Sequence, residues 1–147
     1  MKTVGLIGGM SWESTALYYR LLNEGVQKRL GGLHSAQILM VSLDFAKIEP
    51  SQSEGRWAEA AQILIDSAKR LEDAGADFLA LCTNTMHKLA EDVAAAVNIP
   101  LIHIADAAAN AIQSAGIETV GLLGTRFTMA EDFYKGRLAR NHGLQVI

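Results

Sequence analysis

One cysteine in 147 residues excludes an internal disulfide and suits a reducing cytoplasm. Positive charge is also in short supply. Thirteen Lys and Arg against sixteen Asp and Glu leave a net charge of −3, and the two signs are interspersed. No basic face exists to recruit nucleic acid or an anionic membrane. No apolar run reaches the length of a membrane span or a signal-peptide core, and the opening stretch Met1–Ile7 meets glycines at once. The four histidines, His34, His87, His103 and His142, have no metal-ligand spacing and no cysteine cluster beside them, so no metal site is expected. Gly8-Gly9 does not fit the dinucleotide pattern G-x-G-x-x-G, and no Lys-Ser/Thr follows as in a phosphate-binding P-loop. No Ser-His-Asp arrangement is readable locally. Low-complexity segments and internal repeats are absent as well.

What is present is an apolar chain, 50% hydrophobic by count, long enough to bury a core. Its composition excludes disorder, collagen and coiled coil. Five β-rich runs, Thr3–Ile7, Gln37–Leu43, Asp77–Cys82, Leu101–Ile104 and Thr119–Leu123, read as nearly continuous apolar stretches. That is the pattern of strands buried on both faces of a parallel sheet. Helices are predicted near 12–29, 54–74, 86–97, 105–115 and 128–141. The second carries Trp57, Ala60, Ala61, Leu64, Ala68 and Leu71 on one stripe. Gly75 and Gly116 fall where helix C-termini belong. The βαβα rhythm predicts an α/β fold: a doubly wound parallel sheet with helices on both faces and right-handed crossovers. Leu144–Ile147 reads as the opening of a further strand or as a terminal edge strand.

In such a fold the loops that follow strands share one edge of the sheet, so residues distant in sequence meet there. The first of these loops, Gly8-Gly9-Met10-Ser11, offers close backbone approach, with Ser11 placed to cap the next helix; a tight strand-to-helix turn explains it equally. The second runs from Asp44 to Ser53 and carries Gln52, a two-way hydrogen bonder; Ser53 is placed to cap the helix after it. The fourth, Gly124–Thr128, holds Thr125 and Thr128 as caps or carboxylate donors, with Thr128 favoured as the cap because Glu131 stands three residues on. The third, Cys82-Thr83-Asn84-Thr85-Met86-His87, is the most informative. A lone strand-end cysteine is usually a small buried hydrophobe. This one is followed by three consecutive hydrogen-bonding side chains at a predicted helix start, a place to hold a small carboxylate and move a proton. His87, one helical turn after Thr83, is placed to orient that polar group.

The segments Gly8–Thr15, Cys82–His87 and Gly121–Thr125 together resemble the cofactor-independent aspartate/glutamate racemase family, in order and along the whole chain. The likeness is greatest to its bacterial broad-specificity branch. The resemblance implies two similar α/β lobes with the active site in the cleft between them, an amino-acid substrate, no cofactor and no pyridoxal phosphate. A thiol from each lobe serves as acid and base on opposite faces of the substrate Cα. Residues 1–116 would form the first lobe and 117–147 the start of a second, truncated one. Met10, Ser11, Gln52, Asn84, Thr85 and Thr125 would bind substrate, and Thr83 and Cys82 are the candidate catalytic residues.

Two departures from the family pattern matter. The family's thiol directly precedes the Asn, where this chain has Thr83, and Cys82 stands one place earlier. A one-residue shift in extended backbone reverses the face, so Thr83 is expected to face the substrate and Cys82 to be buried. No second cysteine exists. The alternatives are a noncatalytic dicarboxylate-binding remnant, or a same-fold isomerase or decarboxylase such as maleate isomerase. Unpaired strand edges leave room for a homodimer.

Overall fold

A computed structural model describes residues 1–147. Strands β1 (Thr3–Gly8), β2 (Gln37–Ser42), β3 (Phe78–Leu81) and β4 (Leu101–Ile102) form a parallel sheet in the order β2-β1-β3-β4. Strands β5 (Thr119–Val120) and β6 (Gln145–Val146) form a separate parallel pair. The helices are α1 (Trp12–Leu30), α2 (Glu49–Ser53), α3 (Trp57–Asp73), α4 (Ala90–Ala95), α5 (Ile104–Ser114), α6 (Arg126–Ala130) and α7 (Asp132–His142). This is the predicted α/β architecture, with helices on both faces of the four-stranded sheet.

The period of two along each strand distributes side chains between those faces. Val4 and Leu6 of β1 cluster with Cys82 beneath Tyr18 and Leu22 of α1. Ile7 of β1 and Leu79 and Leu81 of β3 pack on the other face, against Ala60, Leu64, Ala68 and Leu71 of α3. The apolar stripe read from α3 is therefore the central contact of the larger core. A second, smaller core joins Ala105 and Ala109 of α5 to Tyr134 and Leu138 of α7 and to Leu144. Helix α5 thus shares its packing with the two-stranded pair, although it precedes position 116.

Several local expectations change. Strand β2 is half exposed rather than buried on both faces, because it lies at the edge of the sheet. Strand β4 stops at Ile102 because His103 caps α5, its Nδ1 accepting from the Ala105 N–H at 3.2 Å. The helix expected from 54 begins at Trp57, and Ser53 instead ends α2, its hydroxyl donating to the Pro50 carbonyl. The helix expected from 86 opens as a 3-10 turn, Thr85–Leu89, before α4. The helix expected over 128–141 is two helices, broken at the extended residue Glu131, whose carboxylate takes the Lys88 ammonium. Gly75 and Gly116 follow α3 and α5 as predicted, both with positive φ.

Candidate active site

Strand β1 ends at Gly8 and is followed by Gly9, and the structure uses both for packing. A Cβ on Gly8 would stand 2.4 Å from Thr15 Cγ2, and one on Gly9, where φ is +85°, would stand 2.2 Å from the Leu43 carbonyl oxygen. The Gly9 N–H donates to Thr15 Oγ1 at 3.0 Å, so it is not free for a ligand. The tight-turn reading of this loop therefore holds. It sets α1 close against the sheet edge. Ser11 caps α1 as predicted, its Oγ accepting from the Ser14 N–H at 3.2 Å.

Close seating of α1 brings Ser14 and Tyr18, four residues apart on one helix face, over the end of β3. They line a cavity of about 240 Å³ together with Cys82, Thr83, Asn84 and Thr85. Gly124, Thr125 and Thr128 from the loop after β5, and Ile104 at the start of α5, complete it. The two loops are joined directly: Thr85 Oγ1 and Thr125 Oγ1 are 3.0 Å apart, across 40 residues of sequence. Thr125, not Thr128, is the cap of α6, its Oγ1 accepting from the Thr128 N–H at 3.3 Å. The helix starts three residues earlier than the acid at position 131 suggested, which leaves Thr128 inside it and buried.

Five of the predicted site residues, Cys82, Thr83, Asn84, Thr85 and Thr125, therefore share one cavity. Met10, Ser11 and Gln52 lie outside its lining. Met10 is buried in the larger core, and Gln52 sits on α2. Ser11 reaches the cavity only through Ser14, whose Oγ is 3.0 Å from its own. Ser14, Tyr18 and Ile104 were not singled out from sequence, and Thr128 was named there as a cap or carboxylate donor of the fourth loop. For the first two a signal existed in their shared face on the helix that follows β1.

Charge and protonation divide the lining clearly. Cys82 is 1% exposed, and burial pushes its thiol up to about 12, with the Thr15 side chain pulling weakly the other way. Burial likewise raises Tyr18 to about 12, helped by the neighbouring Cys82 and Tyr134. Both are neutral at physiological pH. The cavity thus presents hydroxyls, a phenol, a thiol and an amide, with no cation among them. Neutral donors converging from two loops suit a carboxylate. No group of three or more His, Cys, Asp and Glu side chains is placed to hold a metal ion. No helix is long and apolar enough to cross a membrane.

Behind the cavity, the two loops are clamped by packing. Trp57 of α3 meets Phe127 of α6 edge to face at 5.3 Å, and the Lys88 ammonium lies 4.4 Å from the Trp57 ring centre while pairing with Glu131. Further along, Arg137 of α7 makes a two-pronged contact with Asp106 of α5, both distances 2.7 Å, and His142 Nε2 is 2.9 Å from the same carboxylate. The Arg137 hydrogen bonds hold the Asp106 carboxyl well below the usual carboxylate range, against the opposing effect of burial, with His142 assisting.

Fold and site together define an α/β protein with a hydroxyl-lined cavity at the carboxyl edge of a parallel sheet. The family described as Asp/Glu/hydantoin racemase matches residues 7–147, and the chain belongs to it. It is similar to a Yersinia pestis protein provisionally described as an Asp/Glu racemase: 56% identical, TM-score 0.95, covering all of this chain and 64% of that one. An aspartate racemase homologue from Pyrococcus horikoshii OT3 is 37% identical, with TM-score 0.88 and the same coverage. The broad specificity amino-acid racemase RacX of Bacillus subtilis (strain 168) is 27% identical over 149 residues, 98% of this chain and 63% of that protein. The chain thus spans just under two thirds of the length of these relatives.

Proposed function

We propose that the protein racemises aspartate or glutamate without pyridoxal phosphate, and that residues 1–147 supply one wall of the site. In this reading Thr83 faces the substrate Cα, while Asn84, Thr85 and Thr125 hold the α-carboxylate. Gln52, Met10 and Ser11 belong to substrate binding only if the α1–α2 side closes on the ligand. Cys82 supports the wall from inside the core rather than taking the proton. The four-stranded sheet corresponds to a first lobe over 1–116 and the β5–β6 pair to the opening of a second over 117–147, with α5 bridging them. The opposing acid or base then lies in the third of the family's length outside these residues.

The observation that carries this reading is the Thr85–Thr125 contact of 3.0 Å. It makes two distant strand-end loops into a single hydroxyl-lined cavity. The chemistry asks for such a cavity: an amino-acid Cα–H is a very weak acid, and its removal needs the carboxylate held by fixed donors away from water. A second reading, dicarboxylate binding without turnover, is favoured by one observation. The only thiol is held protonated near 12, and a threonine hydroxyl is a far poorer base than a thiolate. The two separate in a chain of the relatives' full length, where the first predicts cofactor-free racemisation of L-aspartate or L-glutamate and the second predicts binding without it. Residues 1–147 alone test the wall itself. Residues 1–147 are expected to bind L-aspartate or L-glutamate weakly by calorimetry and to show no change in circular dichroism of the substrate over time. Each well-placed acid or base contributes roughly 10²–10⁴-fold, and two-face exchange needs one on each side. Clear cofactor-free racemisation by these residues alone would overturn the incomplete-wall assignment. Absence of any binding would remove the dicarboxylate reading altogether.

A further inference from the structure

His87 is 2% exposed and makes two hydrogen bonds, one from each ring nitrogen. Its Nδ1 is 2.7 Å from the Thr83 carbonyl oxygen. A carbonyl only accepts, so Nδ1 carries a proton and donates. Its Nε2 is 3.1 Å from the backbone nitrogen of Ile104. A backbone N–H only donates, so Nε2 is bare and accepts. The two backbone partners therefore settle the tautomer without reference to any other group. They also have something in common: Thr83 and Ile104 both line the hydroxyl cavity, beyond the ends of the adjacent strands β3 and β4. One imidazole spans the back of the site and ties the loop after β3 to the first residue of α5.

We propose that His87 is a positioning residue, which fixes the Thr83 and Ile104 walls of the cavity relative to each other and does so only as the neutral Nδ1–H tautomer. Adding a proton to Nε2 would set two donors, that nitrogen and the Ile104 N–H, facing each other, and the bond between the walls would be lost. The groups around the ring bias it against that proton. His103 stacks edge to face with ring centres 4.5 Å apart, and its own Nδ1 is occupied as acceptor from the Ala105 N–H. Arg137 of α7 opposes a further positive charge, while Asp106 of α5 favours it but is already engaged by Arg137 and His142. In a separate hollow lined by His87 and His103, Lys88 and Glu91, on the 3-10 turn and α4, bring opposite charges, and Arg140 of α7 adds a further positive one. Burial is the largest influence and lowers His87 to about 4. In effect on ligand, this role rests on the proposed carboxylate site; in the tautomer and the wall-to-wall link, it does not.

The test uses the 147-residue chain labelled with ¹⁵N. Long-range ¹H–¹⁵N spectra at pH 7 are expected to show His87 Nδ1 protonated and Nε2 unprotonated. His87→Leu, which removes both bonds, should shift the Thr83, Asn84 and Ile104 amide resonances and weaken L-aspartate binding roughly tenfold, as the loss of two modest hydrogen bonds predicts. His87→Gln, whose amide offers one donor and one acceptor, should restore most of the binding and remove its loss on acidification through about pH 4. A purely structural residue would lower stability in both variants without this pH difference. The proposal is overturned if His87 is the Nε2–H tautomer or cationic at pH 7. It is equally overturned if His87→Leu folds with the Thr83 and Ile104 resonances unmoved. Should His87→Leu not fold, the ring spectrum of the parent chain and the pH response of His87→Gln decide. If the parent chain ignores L-aspartate, the carboxylate reading falls, and the ring nitrogens and amide shifts still judge the positioning role.

Discussion

Cys82 and Thr83 are neighbours in sequence and opposites in environment. Both line the cavity, but Cys82 lies 1% exposed in the cluster under α1 with Val4 and Leu6, whereas Thr83 is half-buried. Desolvation explains the rest: a thiolate in apolar surroundings has lost its water and found no cation, so the proton stays on. The two side chains should therefore differ sharply in solution. With the thiol at about 12, only roughly one molecule in ten thousand is thiolate at pH 8. Iodoacetamide should leave Cys82 unlabelled in the native chain and alkylate it once the chain is denatured. Labelling at the rate of a free cysteine would show that Cys82 is open to the cavity and must be reconsidered as the acid or base. In a chain of the relatives' full length, Thr83→Ala should abolish α-proton exchange in deuterated water while Cys82→Ala largely keeps it, and the reverse result would exchange their roles.

At the scale of elements, the short helix α6 sets the fourth loop. Its cap, Thr125, serves two partners: Oγ1 accepts from the Thr128 N–H and meets Thr85 Oγ1 across the cavity. A helix of five residues has little stability of its own, so its cap and its aromatic clamp to Trp57 carry much of its order. Thr125→Ala is expected to cost about 1 kcal/mol in urea unfolding, the usual worth of a lost threonine cap, and to weaken carboxylate binding. Thr125→Ser, which keeps the hydroxyl, should recover most of both. If Thr125→Ala leaves binding unchanged while destabilising the chain, the Thr85–Thr125 contact is a structural tie and not part of the carboxylate cradle.

Across the whole molecule, the groups with lowered pKa values make stability depend on pH. Burial, above all, depresses His87 and His103 to about 4 in the folded chain, against 6.5 in the unfolded one. The unfolded chain therefore takes up these protons first as pH falls. Their contribution is fully present above about pH 6.5 and is lost progressively down to about pH 4. Asp106, also depressed, acts at still lower pH in the same direction: its contribution is present above the usual carboxylate value and disappears as the folded carboxyl protonates. Urea unfolding should show stability falling between pH 6.5 and 4, by an amount on the order of a few kcal/mol for two buried imidazoles. His87→Gln should flatten that slope by about half. A stability profile unchanged across this window would mean that the two imidazoles are already hydrated in the folded state.

The sequence alone determined what depends on local pattern. Continuous apolar runs alternating with an i, i+3/i+4 stripe on α3 dictated a parallel α/β sheet. The period of two in extended backbone separated Cys82 from Thr83. Ser11 was recognisable as a cap because its partner is three residues away. What sequence could not settle was long-range placement. The first strand-end loop turned inward because Gly8 and Gly9 serve Thr15 and Leu43, so Met10 went to the core and Ser14 and Tyr18 to the cavity. Likewise, the helix expected over 128–141 broke at Glu131, whose partner Lys88 stands 43 residues away, and that break made Thr125 the cap that meets Thr85. Backbone periodicity is a property of neighbours in sequence, and the cavity is a property of residues that only packing between helices and sheet brings together.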